Sequence, residues 1–136
     1  MSTPIPTDLK ILDAIYRRYY GEFSKYSNGD GSRSSKMYVP IDIKQVAYDL
    51  KIDGDIVFGR LYFHLEHKYG YKQHDGTRVP FFALSLGHEV HRVNFPFMAS
   101  VLADLQDQSR KHNVAIWIAA ASLVVSAVSV VIAILL

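Results

Sequence analysis

The residues that first suggest chemistry are the histidines. His64 and His67 stand three apart with Glu66 between them, and His88, Glu89 and His91 follow later. Imidazoles and carboxylates in such groups are the raw material of a zinc centre. The spacing argues against one. His88 and His91 are an odd interval apart, so a regular strand would send them to opposite faces and offer only one to a shared ion. The chain has no cysteine, which excludes disulfides, thiolate metal sites and a cysteine nucleophile. There is no phosphate-cradling glycine loop, dinucleotide fingerprint or nucleophile motif. The aspartates stand at helix starts, where capping explains them. No metal, cofactor or catalytic residue is expected, and the chain does not read as an enzyme.

A second constellation is basic and aromatic. Arg60, Tyr62, His64, His67, Lys68 and Lys72 would form a ridge along one helix and its end, and His74 and Arg78 would continue it. Such a ridge could meet nucleic acid or a protein. Lying exposed, it could also be no more than a solvated helix face. Tyr20, Phe23, Tyr26, Tyr38, Phe63, Tyr69 and Tyr71 add more aromatics than one small core needs, and aromatics with Arg are the residues that anchor protein interfaces.

The elements that must position these residues can be read from periodicity. Thr7 can cap a helix from about Asp8 to Tyr20, with Leu9, Leu12, Ile15, Tyr16 and Tyr19 as its apolar stripe and Gly21 as its stop. Residues 24–36 are rich in Gly and Ser and read as a flexible loop. Met37 to Val39 suits a short strand broken by Pro40. Ile41 or Asp42 would open a short helix burying Val46, Ala47 and Leu50. After a tight turn over residues 51–54, Asp53 or Asp55 would cap a longer helix with Val57, Leu61 and Leu65 inward, and with Phe58 and Tyr62 turned to the same side. Two β-prone runs then flank Asp75-Gly76, a strong hairpin turn signal. Residues 87–95 suit one more strand. Pro96 fits the first turn of a last helix burying Phe97, Met98, Val101, Leu102 and Leu105.

Two helices joined by a short turn and followed by a hairpin resemble a winged helix-turn-helix domain. The matching positions are Val46, Ala47, Leu50, Ile52, Val57, Leu61, Leu65, Gly70 and Gly76, and the likeness covers roughly Leu9 to Leu84. It implies an α+β fold of three helices and a β-wing. It also implies that the second helix of the motif could enter the major groove of DNA. The residues resist that use. Base readout comes from the N-terminal part of such a helix, and this one opens with Asp53 and Asp55, which would meet phosphates with like charge. A formal net charge of +2 is also a weak footprint for a DNA-binding domain.

The end of the chain is different in kind. Residues 114–136 carry no charge, no Gly and no Pro. A helix of that length reaches ~35 Å, enough for a hydrocarbon core of ~30 Å. Arg110 and Lys111 precede it, so the positive-inside rule places residues 1–113 in the cytoplasm. The expected organisation is a domain over residues 1–95, a juxtamembrane helix over 96–113 and a transmembrane helix over 114–136. The pattern is that of a single-pass, tail-anchored protein, with a bacterial inner membrane as the expected host. Within the tail, Ala115, Ala119, Ser122, Ser126, Ser129 and Ala133 repeat every seven residues. A stripe of small residues lets membrane helices approach closely. Continued backwards, the register meets Met98, Val101 and Leu105 before Gln108 and His112. A homodimer is the expectation.

The expected function is a recruitment module: a membrane-held winged helix that binds an unidentified protein partner and the bilayer. The alternative is a membrane-tethered DNA-binding regulator. A holin-like or toxin-like membrane-active protein is a third reading, disfavoured because residues 1–113 are more than a pore peptide needs.

Overall fold

The computed structural model describes residues 4–26, 35–84 and 90–136. The described chain is α+β: helices, a small sheet and a long apolar C-terminal helix. Its order is α1 (Asp8–Ser24), β1 (Tyr38–Pro40), α2 (Ile43–Leu50) and α3 (Gly54–Gly59). A π-helical stretch (Arg60–Glu66) and α4 (His67–Tyr69) continue α3 without a break. Then follow β2 (Tyr71–Lys72), β3 (Arg78–Val79), β4 (Phe82–Ala83), β5 (Arg92–Asn94) and α5 (Phe95–Leu135).

The first three helices begin where side chains satisfy the free amides of their first turns. Thr7 Oγ1 accepts from the Lys10 amide at 3.2 Å. Asp42 Oδ1 accepts from Lys44 at 2.9 Å, and Asp53 Oδ1 from Asp55 at 2.8 Å. α1 does not stop at Gly21. It runs on to Ser24, because one more turn carries Phe23 onto Phe95, with ring centroids 4.7 Å apart. Burying that ring outweighs the cost of a glycine in a helix, which is about 1 kcal/mol. The inward stripe of α1 is Ile11, Leu12, Ile15 and Tyr19; Leu9 and Tyr16, expected there, are only half-buried. The expected flexible loop over 24–36 lies mostly outside the described residues, and Ser24 belongs to the helix.

The sheet order is β1-β5-β4, all antiparallel. Pro40 does not break β1. It lies within the strand, opposite Arg92. β1 is an edge strand, where a missing amide donor is tolerated. The run after the hairpin turn is split. β3 pairs with β2 in a separate ribbon, while β4 pairs with β5 in the sheet. Pro80 stands between β3 and β4, with no amide to continue a ladder. The turn itself is as expected: Gly76 has φ +87, and the Thr77 amide donates to Asp75 at 2.8 Å. That bond holds the Asp75 carboxyl below its ordinary value. Of the expected strand over 87–95, Arg92–Asn94 forms β5 and Phe95 already opens α5; residues 85–89, with His88 and Glu89, lie outside the described set.

The core is built from all layers: Ile11, Leu12 and Ile15 of α1, Val46 of α2, Val57, Leu61 and Leu65 of the long helix, Phe81 and Phe82, Val93, and Phe95 and Met98 of α5. Phe97, expected inside, is half-buried at the rim. Contacts divide the chain into two units, Met1–Leu102 and Ala103–Leu136. The first therefore takes in the opening turns of α5. The second contains the apolar segment, and α5 is the one helix among the described residues long and apolar enough to cross a membrane.

Candidate interaction site

The long helix over residues 54–69 carries Arg60, Tyr62, His64, His67 and Lys68 of the expected ridge, and its middle is wound unusually wide. π-helical turns are rare, occur mostly as short bulges and often coincide with functional positions. Here the wide stretch turns Leu61, Leu65 and Glu66 inward together. A carboxylate inside a protein needs partners, and Glu66 has four donors. Oε2 accepts from the Phe81 amide at 2.7 Å and the Phe82 amide at 2.8 Å. Oε1 accepts from Arg78 Nη2 at 2.9 Å and Nε at 3.2 Å. Glu66 thus fastens β3 and β4 to the helix. Gly70 permits this, since a Cβ there would lie 2.6 Å from Glu66 Oε1 and from Arg78 Nη2.

Two residues of the expected ridge, Arg60 and His64, are drawn to α1. Asp8 accepts a hydrogen bond from Arg60 Nη2, and its Oδ2 lies 3.0 Å from His64 Nε2. The Asp8 side chain is mostly covered. Arg60 and His64 are therefore brought together as an internal tie between α1 and the π-helical stretch. Sequence reasoning named both residues but missed their partner. Asp8 has the signature of a helix-start residue, and nothing local shows that Arg60 would reach it. A similar tie joins α1 to α2: Arg18 holds Asp49 through two hydrogen bonds of 2.7 Å and Gln45 through one of 2.5 Å. The Arg18 hydrogen bond keeps the Asp49 carboxyl below its ordinary range, and the reciprocal bond raises Arg18. Beside it, burial pushes the Tyr19 hydroxyl up, while that oxygen accepts from the Asp42 amide at 2.7 Å.

The other residues of the ridge face outward. Tyr62, Phe63, Glu66, His67, Arg78 and Phe82 line an open groove of about 450 Å³ between the helix and the strands that follow it. Phe63 is 72% exposed and Tyr62 37%. Their rings are held rather than loose. Tyr62 stacks on Phe58 at 5.6 Å, and Phe63 meets Tyr62 edge-on at 4.9 Å. Phe58 also touches Phe82 and His91, and His91 lies against Phe82 at 5.5 Å. Lys68 sits over the Tyr69 ring. Lys72 lies directly opposite Arg78 across the ribbon, and His74 belongs to the turn, beside Tyr71, Lys72 and Asp75.

Tyr20 and Tyr71 of the other expected anchors are exposed, whereas Phe23 packs on Phe95 and Tyr69 on Phe81. Tyr48, exposed at 81%, was not singled out by spacing. Among the described residues no three His, Asp or Glu side chains converge as metal ligands would. In the tail, Ser122, Ser126 and Ser129 each donate to the carbonyl four residues back, at 2.9 Å. Their hydroxyls are satisfied within the helix, which suits an apolar surrounding. Compared with known proteins, the chain matches no family model, no curated sequence and no solved structure, so a functional reading rests on the geometry of its own side chains.

Proposed function

We propose that this chain is a membrane-anchored protein-interaction module. The apolar part of α5 holds it in a bilayer, and the groove beside Phe63 receives a protein partner. The carrying observation is the solvent-facing pair Tyr62 and Phe63, fixed in place by ring contacts with half-buried Phe58. Rigid aromatic rings give a large contact area at low entropic cost, the property that makes them interface hot spots. Confinement to a membrane raises the effective concentration of the groove toward other membrane-held proteins. Arg110 and Lys111 favour a cytoplasmic setting for the folded unit. The small-residue stripe favours a second copy alongside the first within the bilayer.

The test is site-specific photocrosslinking in membranes. A photoreactive side chain at position 63 should give one discrete adduct of higher mass, and Tyr62→Ala should weaken it. A smear equal to that from a reactive group at exposed Tyr48 would remove the reading.

A winged-helix DNA regulator remains the second reading. It is favoured by the element order of helix, strand, two helices and ribbon, and by exposed Lys68, Lys72 and His74. Against it stand the internal pairing of Arg60, His64 and Arg78 and the carboxylates Asp53 and Asp55 at the start of α3. Duplex DNA titrated against the full chain in nanodiscs separates the two. Submicromolar binding that falls steeply with salt would support the regulator.

A further inference from the structure

The wide winding of residues 60–66 serves one side chain. Val57, Leu61 and Leu65 recur every fourth residue and are fully buried. A step of four is close to one turn of an α-helix and close to one turn of a π-helix, which closes its bonds over one residue more. That apolar stripe therefore fits either winding. Arg60 and His64 are also four apart, and either winding sets them on one side to meet Asp8. Glu66 is the exception. It follows Val57 by about two and a half α-helical turns, so continuous α-winding would turn it away from the core. The wide stretch brings it round beside Leu65, where the Phe81 and Phe82 amides and Arg78 hold it. The core contacts do not choose the winding; the bonds of one carboxylate do. β4 lies at the edge of its sheet and pairs only with β5, so releasing Glu66 breaks no strand pair.

We infer that residues 60–66 form a latch with two windings. Shut, the stretch is π-wound and Glu66 holds β3 and β4. Open, it is α-wound and Glu66 faces solvent, with the apolar stripe still in the core. Two arrangements that share their core contacts and differ in a few polar bonds are what a switch element requires. Glu66, Arg78 and Phe82 line the groove beside Phe63. The groove is therefore complete only in the shut state, and an occupant that needs it favours that state. This last step rests on the groove as a protein-binding site; the two windings do not.

Hydrogen exchange of the full chain in phosphatidylcholine nanodiscs, read at single amides, tests the latch. Val93, in the central strand β5, reports global unfolding. The amides of Phe81 and Phe82 and those of residues 61–66 should exchange together, through an opening short of unfolding. After correction for intrinsic rates they should be about tenfold or more faster than Val93. Deleting exposed Phe63 supplies the converse. Glu66 then follows Val57 by about two and a quarter α-helical turns, so an α-helix keeps it inside with the latch shut. That variant should fold, and its Phe81 and Phe82 amides should slow to the Val93 rate. Exchange of Phe81 and Phe82 at the Val93 rate in the parent would overturn the latch, as would fast exchange there without residues 61–66. So would a deletion variant that does not fold or that keeps the fast opening. The photocrosslink from position 63 is read separately: its absence removes the protein-binding reading and leaves the exchange result standing.

Discussion

The Glu66 carboxylate accepts the backbone amide of Phe81 at 2.7 Å, across the gap between the helix over 54–69 and the strand region that follows it. The same oxygen takes the Phe82 amide, and the other oxygen takes Arg78. One buried side chain thus decides where the ribbon sits, and with it the shape of the groove. Glu66→Ala leaves two buried amides without acceptors. Each unsatisfied group costs roughly 1–3 kcal/mol, so a loss of about 3–5 kcal/mol in unfolding free energy is expected. Hydrogen exchange at Phe81 and Phe82 should rise sharply. Unchanged protection of those two amides would show that the carboxylate does not hold them.

Gly70 is required for space. Its φ is negative, so any residue could adopt the backbone, but a methyl group would lie 2.8 Å from the Glu66 carbonyl oxygen. Backbone gives way less easily than a side chain. Gly70→Ala should cost roughly 1–3 kcal/mol and swing Arg78 off Glu66. The thermal midpoint should fall, and the crosslink from position 63 should weaken with it. Gly76→Ala fails differently: nothing crowds its Cβ, and the cost of about 1 kcal/mol comes from the positive φ.

Acid should loosen the contact between α1 and α2. The Arg18 hydrogen bond lowers the Asp49 carboxyl from its ordinary value of 3.8. A carboxylate whose folded value is depressed contributes stability that is fully present above the unfolded value. That contribution fades as pH falls below 3.8 through the lowered folded value. Asp75 and Asp107 are shifted the same way, so the acid transition of the parent protein has several sources. Asp49→Asn isolates one. Its Tm should lie below the parent's at neutral pH, and the two should converge once Asp49 is protonated. A gap that persists at the lowest pH would mean that Asp49 acts through packing and not charge.

Asp8 should matter more than its place near the chain start suggests. Removing it leaves Arg60 largely covered and without its anion. Asp8→Ala should therefore cost roughly 1–3 kcal/mol and release His64. The His64 ring resonances, followed by NMR at one fixed pH, should move between parent and variant as the 3.0 Å contact is lost. Unchanged ring resonances would show that the Asp8 contact is not made in solution.

The tail stripe makes a separate prediction. With their hydroxyls bonded to their own helix, Ser122 and Ser126 present small, satisfied surfaces suited to close helix approach. Replacing both by Leu should abolish crosslinked dimers in membranes and leave insertion intact. Persistent crosslinking would remove the homodimer.

The sequence by itself determined the elements set by neighbours along the chain. The uncharged run of residues 114–136 reads as a helix, because in an apolar medium a single segment can satisfy its own backbone groups only in that form. Thr7 caps a helix because a short polar side chain reaches the amides two or three residues on, and the same rule narrowed the next two starts to Ile41 or Asp42 and Asp53 or Asp55, of which the structure takes Asp42 and Asp53. Asp75-Gly76 turns the chain because Gly accepts positive φ. Tertiary structure alone decided the rest. α1 passes Gly21 because Phe95 waits for Phe23. Pro40 survives in β1 because that strand lies at an edge. Arg60 and His64 leave the expected ridge because Asp8, far off in sequence, comes beside them on folding, and Glu66 becomes the pin of the site because a wide helical turn buries it opposite two amides. Charge pairing and burial depend on distance in space, and residue spacing along a chain encodes that distance only within a turn or two of helix.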